Sequence, residues 1–169
     1  MKTLFLLACT VLAWAQSPTF VTEGVIDAPV AEVWKVFTTS EGYKALGVAL
    51  AEVDFRVGGT IRSRYSADGV LGDDETIVNQ IMAYEPLRML AQRIQKPPKT
   101  FPFKEAWKQG WTVITLTDLG NGRTHLRAAS VDFGTDEESQ RMRSFFERGN
   151  QQTLNTLQKY FTARKGGAQ

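Results

Sequence analysis

Residues 111–133, WTVITLTDLGNGRTHLRAASVDF, and residues 136–161, DEESQRMRSFFERGNQQTLNTLQKYF, together decide the fold. In the first stretch apolar and polar residues alternate on both sides of Gly120-Asn121-Gly122, which predicts a β-hairpin pairing residues 111–118 with residues 123–133. In the second the period changes from two to that of a helix. Asp136, Glu137 and Glu138 fall in its first turn, and Lys159, Arg164 and Lys165 lie near its end, as the helix macrodipole favours. At 1.5 Å per residue this helix spans about 39 Å, longer than a small domain needs for capping alone.

Working outward, residues 20–27 have strand composition and end at Asp27-Ala28-Pro29, where Asp27 is placed to cap a helix whose first turn tolerates Pro29. Val30, Val33, Trp34 and Phe37 then form one apolar stripe at helical spacing, and residues 43–46 add a further turn. From Glu52 the period is two again. Val53, Phe55 and Val57 alternate with charged residues until Gly58-Gly59, a two-residue hairpin signal, and a partner strand covers residues 60–66. Two more strands follow at 76–84 and 88–95, and residues 96–109 form a long irregular connection carrying Phe101, Phe103 and Trp107. One strand, two short helices, about six hairpin-linked strands and a long C-terminal helix make an α+β domain. Its sheet is antiparallel and curved around that helix. The concave space between sheet and helix is a default ligand site.

The chain has 169 residues, 43% of them hydrophobic, which suits one domain with a sizeable core. Lys and Arg number 20 against 18 Asp and Glu, interspersed in sign, so no basic stripe points to nucleic acid. Met1-Lys2-Thr3, the short apolar run 4–13 and Ala13-Trp14-Ala15 describe a signal peptide, residues 1–15, cut after Ala15. The mature protein is then exported, periplasmic or secreted, with a domain at 16–163 and a frayed tail at 164–169. Cys9, the sole cysteine, leaves with the signal, which excludes a disulfide and thiol chemistry from the mature chain. No later stretch approaches the roughly 20 apolar residues of a membrane span.

The mature chain resembles the SRPBCC, or START-like, superfamily, in the branch named after the activator of the heat-shock ATPase. The carriers are Ile26-Asp27-Ala28-Pro29 leading into Val33-Trp34 and Phe37-Thr38, then Val57-Gly58-Gly59, then Gly149 with Leu154 and Leu157. The resemblance implies a helix-grip fold with a deep cavity, used across the superfamily for lipids, sterols, hormones and polyketides and sometimes for catalysis. Two positions depart from the pattern. Gly47-Val48-Ala49 stands where an aromatic pair is typical, and Asn150 replaces a tryptophan after the helix glycine.

Strand parity puts Leu126, Ala128 and Ser130 on the concave face with Ile114 and Leu116, while His125 and Arg127 face solvent. Trp34, Phe55, Phe146 and Gly149 complete the expected cavity lining, Gly149 marking a close approach to the sheet or a bend. Phe101, Phe103 and Trp107 are candidates for a flap at its mouth. No catalytic residue, metal or cofactor is expected: the one histidine is on the outer face, Asp73-Asp74-Glu75 lacks EF-hand spacing, no serine sits in a nucleophile elbow, and Gly58-Gly59 lacks the helix and lysine of a phosphate loop. Three readings follow from these features. The first is a carrier, monomeric or weakly dimeric, of a small apolar molecule (lipid, sterol-like or aromatic). The second is a polyketide-cyclase-like enzyme, which needs Arg62, Arg64, Tyr65, Glu75 or Arg93 to converge in the cavity. The third is an interaction module, recognisable by a large exposed apolar patch.

Overall fold

The structure, a computed structural model, describes residues 20–166. The expected signal peptide and its cleavage point lie outside the described residues. In chain order the elements are β1 (Phe20–Ile26), α1 (Val30–Thr38), α2 (Ser40–Tyr43) continuing into a 3-10 turn, β2 (Leu50–Val53), β3 (Thr60–Arg64), β4 (Ile77–Glu85), β5 (Met89–Lys96), β6 (Trp111–Gly120), β7 (Arg123–Val131) and α3 (Glu137–Gly166). The seven strands form one antiparallel sheet in the order β1-β7-β6-β5-β4-β3-β2. This is the α+β antiparallel architecture that the alternation and the closing helix predict, and the helix-grip fold that the resemblance implies.

Cross-strand register fixes which residues share the inner face. Ala128 faces Thr22 on one side and Ile114 on the other; Ser130 faces Phe20 and Thr112; Leu126 faces Gly24 and Leu116. Farther along the sheet, Leu90 and Gln92 join Ile114 and Thr112, and Ile61 joins Asn79. Between β4 and β5 the register shifts twice, and such bulges bend a sheet locally. The curved sheet folds over α3, about 45 Å long at 1.5 Å per residue.

Two apolar clusters hold helix and sheet together. The larger joins Ile26, Val33, Val36 and Phe37 to Ile61, Ile81, Leu90, Leu116, Leu126, Leu154 and Leu157. The smaller joins Phe20, Phe103, Ala106, Phe133 and Met142, with Phe101, Trp107 and Phe146 packed against them. Fully burying one such aliphatic or aromatic side chain stabilises the fold by roughly 1.5–3 kcal/mol. The start of α3 is secured by Asp136, whose carboxylate accepts the Ser139 N–H at 3.0 Å and its hydroxyl at 2.6 Å. These two bonds hold the Asp136 carboxyl below its ordinary range.

Several local expectations are corrected. Pro29, without a side-chain hydrogen bond, takes the cap of α1 in place of Asp27, whose carboxylate lies 4.0 Å from Lys165. The strand read as running to Val57 stops at Val53, because the Asp54 N–H closes onto the Thr60 carbonyl and starts a wider turn. Gly58 and Gly59 are not a two-residue hairpin: the Gly58 N–H donates to the Ile81 carbonyl and the Ile81 N–H to that of Gly59, so both extend the ladder toward β4. Helix α3 continues to Gly166, into the stretch read as a tail.

Candidate functional site

Between the two clusters the sheet and α3 part, enclosing a cavity of about 240 Å³. Its floor is the inner face of the sheet, with Ile114, Leu126, Ala128 and Ser130 among its residues, and its roof is α3 through Met142, Phe146, Asn150, Thr153, Leu154 and Leu157. Phe37, Tyr43, Leu46 and Val48 close one side. Tyr65, just past β3, is 66% exposed, and Trp111, at the start of β6, is 37% exposed. Both line the cavity and both lie at the same end of the antiparallel sheet, so the opening is there.

Of the residues expected to line the cavity, Ile114, Leu126, Ala128, Ser130 and Phe146 do, and four do not. Trp34 and Phe55 pack edge-on at 5.7 Å, with Phe55 4.6 Å from Tyr84, and form an aromatic layer against the larger cluster. Leu116 is buried within that cluster. Gly149 is on the exposed side of α3, where an added Cβ would meet nothing within 4 Å. The close approach between helix and sheet occurs instead at Gly24 on β1, where an added Cβ would come 3.0 Å from Leu154 Cδ2.

The proposed flap divides in the same way. Trp107 lines the cavity, its indole N–H donating to the Lys104 carbonyl at 3.0 Å. Phe101 and Phe103 instead pack on each other at 5.3 Å and on α3, Phe101 against Phe145 and Phe146 at 5.8 and 6.0 Å and Phe103 against Phe145 at 5.7 Å. The loop is fastened to α3 by Glu138, whose carboxylate accepts the Lys104 N–H at 2.5 Å and the Ala106 N–H at 3.3 Å.

Polar side chains also line the cavity. Ser63, Asn79 and Gln92 stand on the inner face between Ile61, Ile77, Ile81, Leu90 and Ile94, and Tyr43 is buried beside them. The available signal was inverted: a polar residue at the inward parity of an otherwise apolar strand face. Burial pushes the Tyr43 phenol up to about 12, the Tyr65 phenol adding to the shift and the Asn79 and Gln92 side chains opposing it. Tyr43 is therefore neutral at physiological pH. Gln92 Oε1 is buried and has no hydrogen-bond partner in the protein.

Of the five groups named for the enzymatic reading, Tyr65 and Arg93 line the cavity and Arg62, Arg64 and Glu75 do not. Arg62 pairs with Glu52 at 3.3 Å and Arg64 with Asp73 at 3.2 Å, both across from the inward parity of Ile61 and Ser63. Glu75 accepts the Thr100 hydroxyl at 2.6 Å, and Arg93 binds Gln80 Oε1 through Nε and Nη2 at 3.2 and 3.1 Å. Only Tyr65 reaches the cavity with its side chain free of such a pair. His125 faces outward, 3.7 Å from Glu23. Among the described residues no three His, Cys, Asp or Glu side chains are grouped to hold a metal ion, and no helix is long and apolar enough to cross a membrane.

Residues 27–162 match the family described as Activator of Hsp90 ATPase homolog 1-like protein. Among solved structures, the chain is similar to a protein of Mesorhizobium loti at 22% identity and a TM-score of 0.64, covering 84% of this chain and 95% of that one. It is similar to an Aha1 dimer from Colwellia psychrerythraea at 14% identity and a TM-score of 0.61, covering 85% and 96%. An Hsp90 activator from Plasmodium falciparum matches at 14% identity and a TM-score of 0.51, covering 70% and 75%. These identities speak for a shared fold alone. Among curated proteins none matches the chain.

Proposed function

The chain belongs to the family of activator of Hsp90 ATPase homolog 1-like proteins, and from that premise we propose that it is an exported, non-enzymatic carrier that encloses one small apolar molecule between sheet and α3. The observation that carries this reading is the cavity itself: about 240 Å³ of space walled mainly by aliphatic and aromatic side chains, set inside an otherwise packed core. Native interiors have few voids larger than a water molecule, so a space of this size is a feature to be explained. It exceeds the roughly 150 Å³ that accommodates benzene in an engineered apolar cavity. That scale favours a molecule of one or two rings over a sterol-like or two-chain lipid. Burial of on the order of 200 Å² of apolar ligand surface contributes about 5 kcal/mol before the cost of immobilising it.

Export rests on residues 1–15 and separates the chain from a cytosolic chaperone, so the activator role named for its fold relatives is not carried over. Two measurements test the proposal. Native mass spectrometry of protein from its own envelope should show a bound small molecule, released on denaturation and identifiable by extraction. Intact mass should begin at Gln16; a chain that keeps Met1 or Cys9 contradicts export. Protein that is empty, and that also fails to take up naphthalene in equilibrium dialysis, contradicts the carrier reading.

A further inference from the structure

Asn150 stands at a position that the helix pattern reserves for apolar residues. At about 100° per residue it leaves α3 in a direction between those of Leu157 and Phe161, both buried, so it belongs to the middle of the face that α3 turns to the sheet. It lines the cavity and is only half-buried there, one turn from Phe146 and one turn from Leu154. Phe146 packs on Phe133 at 6.3 Å and Leu154 meets Gly24, so the floor facing Asn150 lies between those contacts, where Thr22, Ala128 and Ser130 stand. Two neighbouring amides of α3 are occupied, Gln151 donating to Asn155 and Gln158 to the Val25 carbonyl, each at 3.0 Å. That of Asn150 makes no hydrogen bond among the described residues, and neither of its polar atoms is sealed from the open space. The single charged residue among the lining, Arg93, is exposed and already bound to Gln80.

We propose that Asn150 is the polar recognition group of the cavity, and that its occupant is an uncharged one- or two-ring molecule with a ring amide, an N–H beside a C=O. This rests on the reading of the cavity as a ligand chamber and adds the chemistry of its occupant. A side-chain amide carries an acceptor oxygen and donor hydrogens side by side in one plane. An amide held cis in a ring offers the complementary pair, so its N–H donates to Asn150 Oδ1 while its C=O accepts from Asn150 Nδ2. A ligand with only one of these groups displaces water from both halves of the Asn150 amide and re-pairs one of them, leaving the other unsatisfied. A carboxylate or phosphate would leave its charge buried without a counter-ion, which proteins avoid unless the charge is paired. The apolar walls through Ile114, Leu126, Ala128 and Leu157 take the rest of the ring system.

The test compares four two-ring probes on the purified protein by equilibrium dialysis at pH 7: naphthalene, 2-quinolinone, N-methyl-2-quinolinone and 2-naphthoate. The expected result is that 2-quinolinone binds at least tenfold more tightly than both N-methyl-2-quinolinone and 2-naphthoate. In Asn150→Ala, which removes the amide and keeps a good helix former, the two quinolinones should bind alike, because the ring N–H has lost its acceptor. Equal binding of the two quinolinones by the unaltered protein overturns the proposal without any variant being needed. So does 2-naphthoate binding as tightly as 2-quinolinone, or a tenfold preference for 2-quinolinone that persists in Asn150→Ala. In each of those cases naphthalene binding leaves the carrier reading standing. Failure of all four probes to bind removes both.

Discussion

Replacing Ala128 with Phe tests whether the space between sheet and helix is a chamber or a flaw of packing. Ala128 lies mid-strand on β7, between Thr22 and Ile114, and lines the cavity. The substitution adds one six-carbon ring directed into about 240 Å³. A ring of that kind needs up to roughly 150 Å³ of apolar room, so it fits without displacing Leu154 or Leu157 across the gap. Filling on the order of 100 Å³ at about 24 cal/mol per Å³ would return up to ~2 kcal/mol, less whatever rotamer strain the ring incurs. The variant should therefore be within about 1 kcal/mol of the parent in stability, or above it. A closed core in the same place would lose typically 1–3 kcal/mol or more from overpacking. Binding should respond in the opposite sense, because the ring occupies a large part of the chamber. Naphthalene affinity should fall at least tenfold, which corresponds to about 1.4 kcal/mol. Denaturant unfolding and equilibrium dialysis on the same preparations read both quantities. A variant destabilised by 3 kcal/mol would refute the open space, and a stable variant with undiminished naphthalene binding would place the ligand elsewhere.

Two further outcomes follow from polar contacts away from the cavity. Thr124 is fully buried on β7, and its hydroxyl donates to the Ala28 carbonyl at 2.8 Å, fixing the turn between β1 and α1; Thr124→Val keeps the shape but leaves that carbonyl unpaired, and should cost about 1–3 kcal/mol in denaturant unfolding. Asp136→Ala should lower the thermal midpoint at pH 7, and the difference from the parent should vanish in acid. A carboxyl held below its ordinary value contributes stability that is present above the unfolded value of about 3.9 and is lost as pH falls through the lower folded value. Midpoints measured from pH 7 to pH 2.5 should therefore converge at the acid end, and a constant gap across that range would assign the effect of Asp136 to something other than its charge.

The hairpin Trp111–Gly120 with Arg123–Val131 and the helix after it were legible because period is a local property of the chain. The same parity placed Leu126, Ala128 and Ser130 inward and His125 outward, as the register has them. Parity gives a side, however, and not a depth along the strand. Leu116 is an inward strand residue, while Trp34 on α1 and Phe55 in the turn after β2 pack on the same cluster; none of the three lines the cavity, and only the three-dimensional course of α3 decides where packing stops and space begins. The inward placement of Gln92 and Asn79 is hidden in the sequence for a related reason. A polar side chain between apolar neighbours looks like a weak strand position until the facing helix is known to leave it room. Gly149 misled because a glycine in a helix carries a cost of about 1 kcal/mol that invites a contact as its cause. The contact belongs to Gly24, whose missing side chain admits Leu154.

The division of the apolar interior into unequal parts has a kinetic meaning. Among the described residues sixteen buried ones form the larger cluster and five the smaller, and the smaller stands at the mouth, joined to α3 by the two N–H groups that Glu138 holds. Regions with fewer buried contacts open at lower free energy than the molecule unfolds. Amide hydrogens around Phe103 to Lys108 should thus exchange by a sub-global opening, well ahead of those on β5 and β7. On the carrier reading proposed above, cargo leaves by loosening one end of the chamber while the other stays folded.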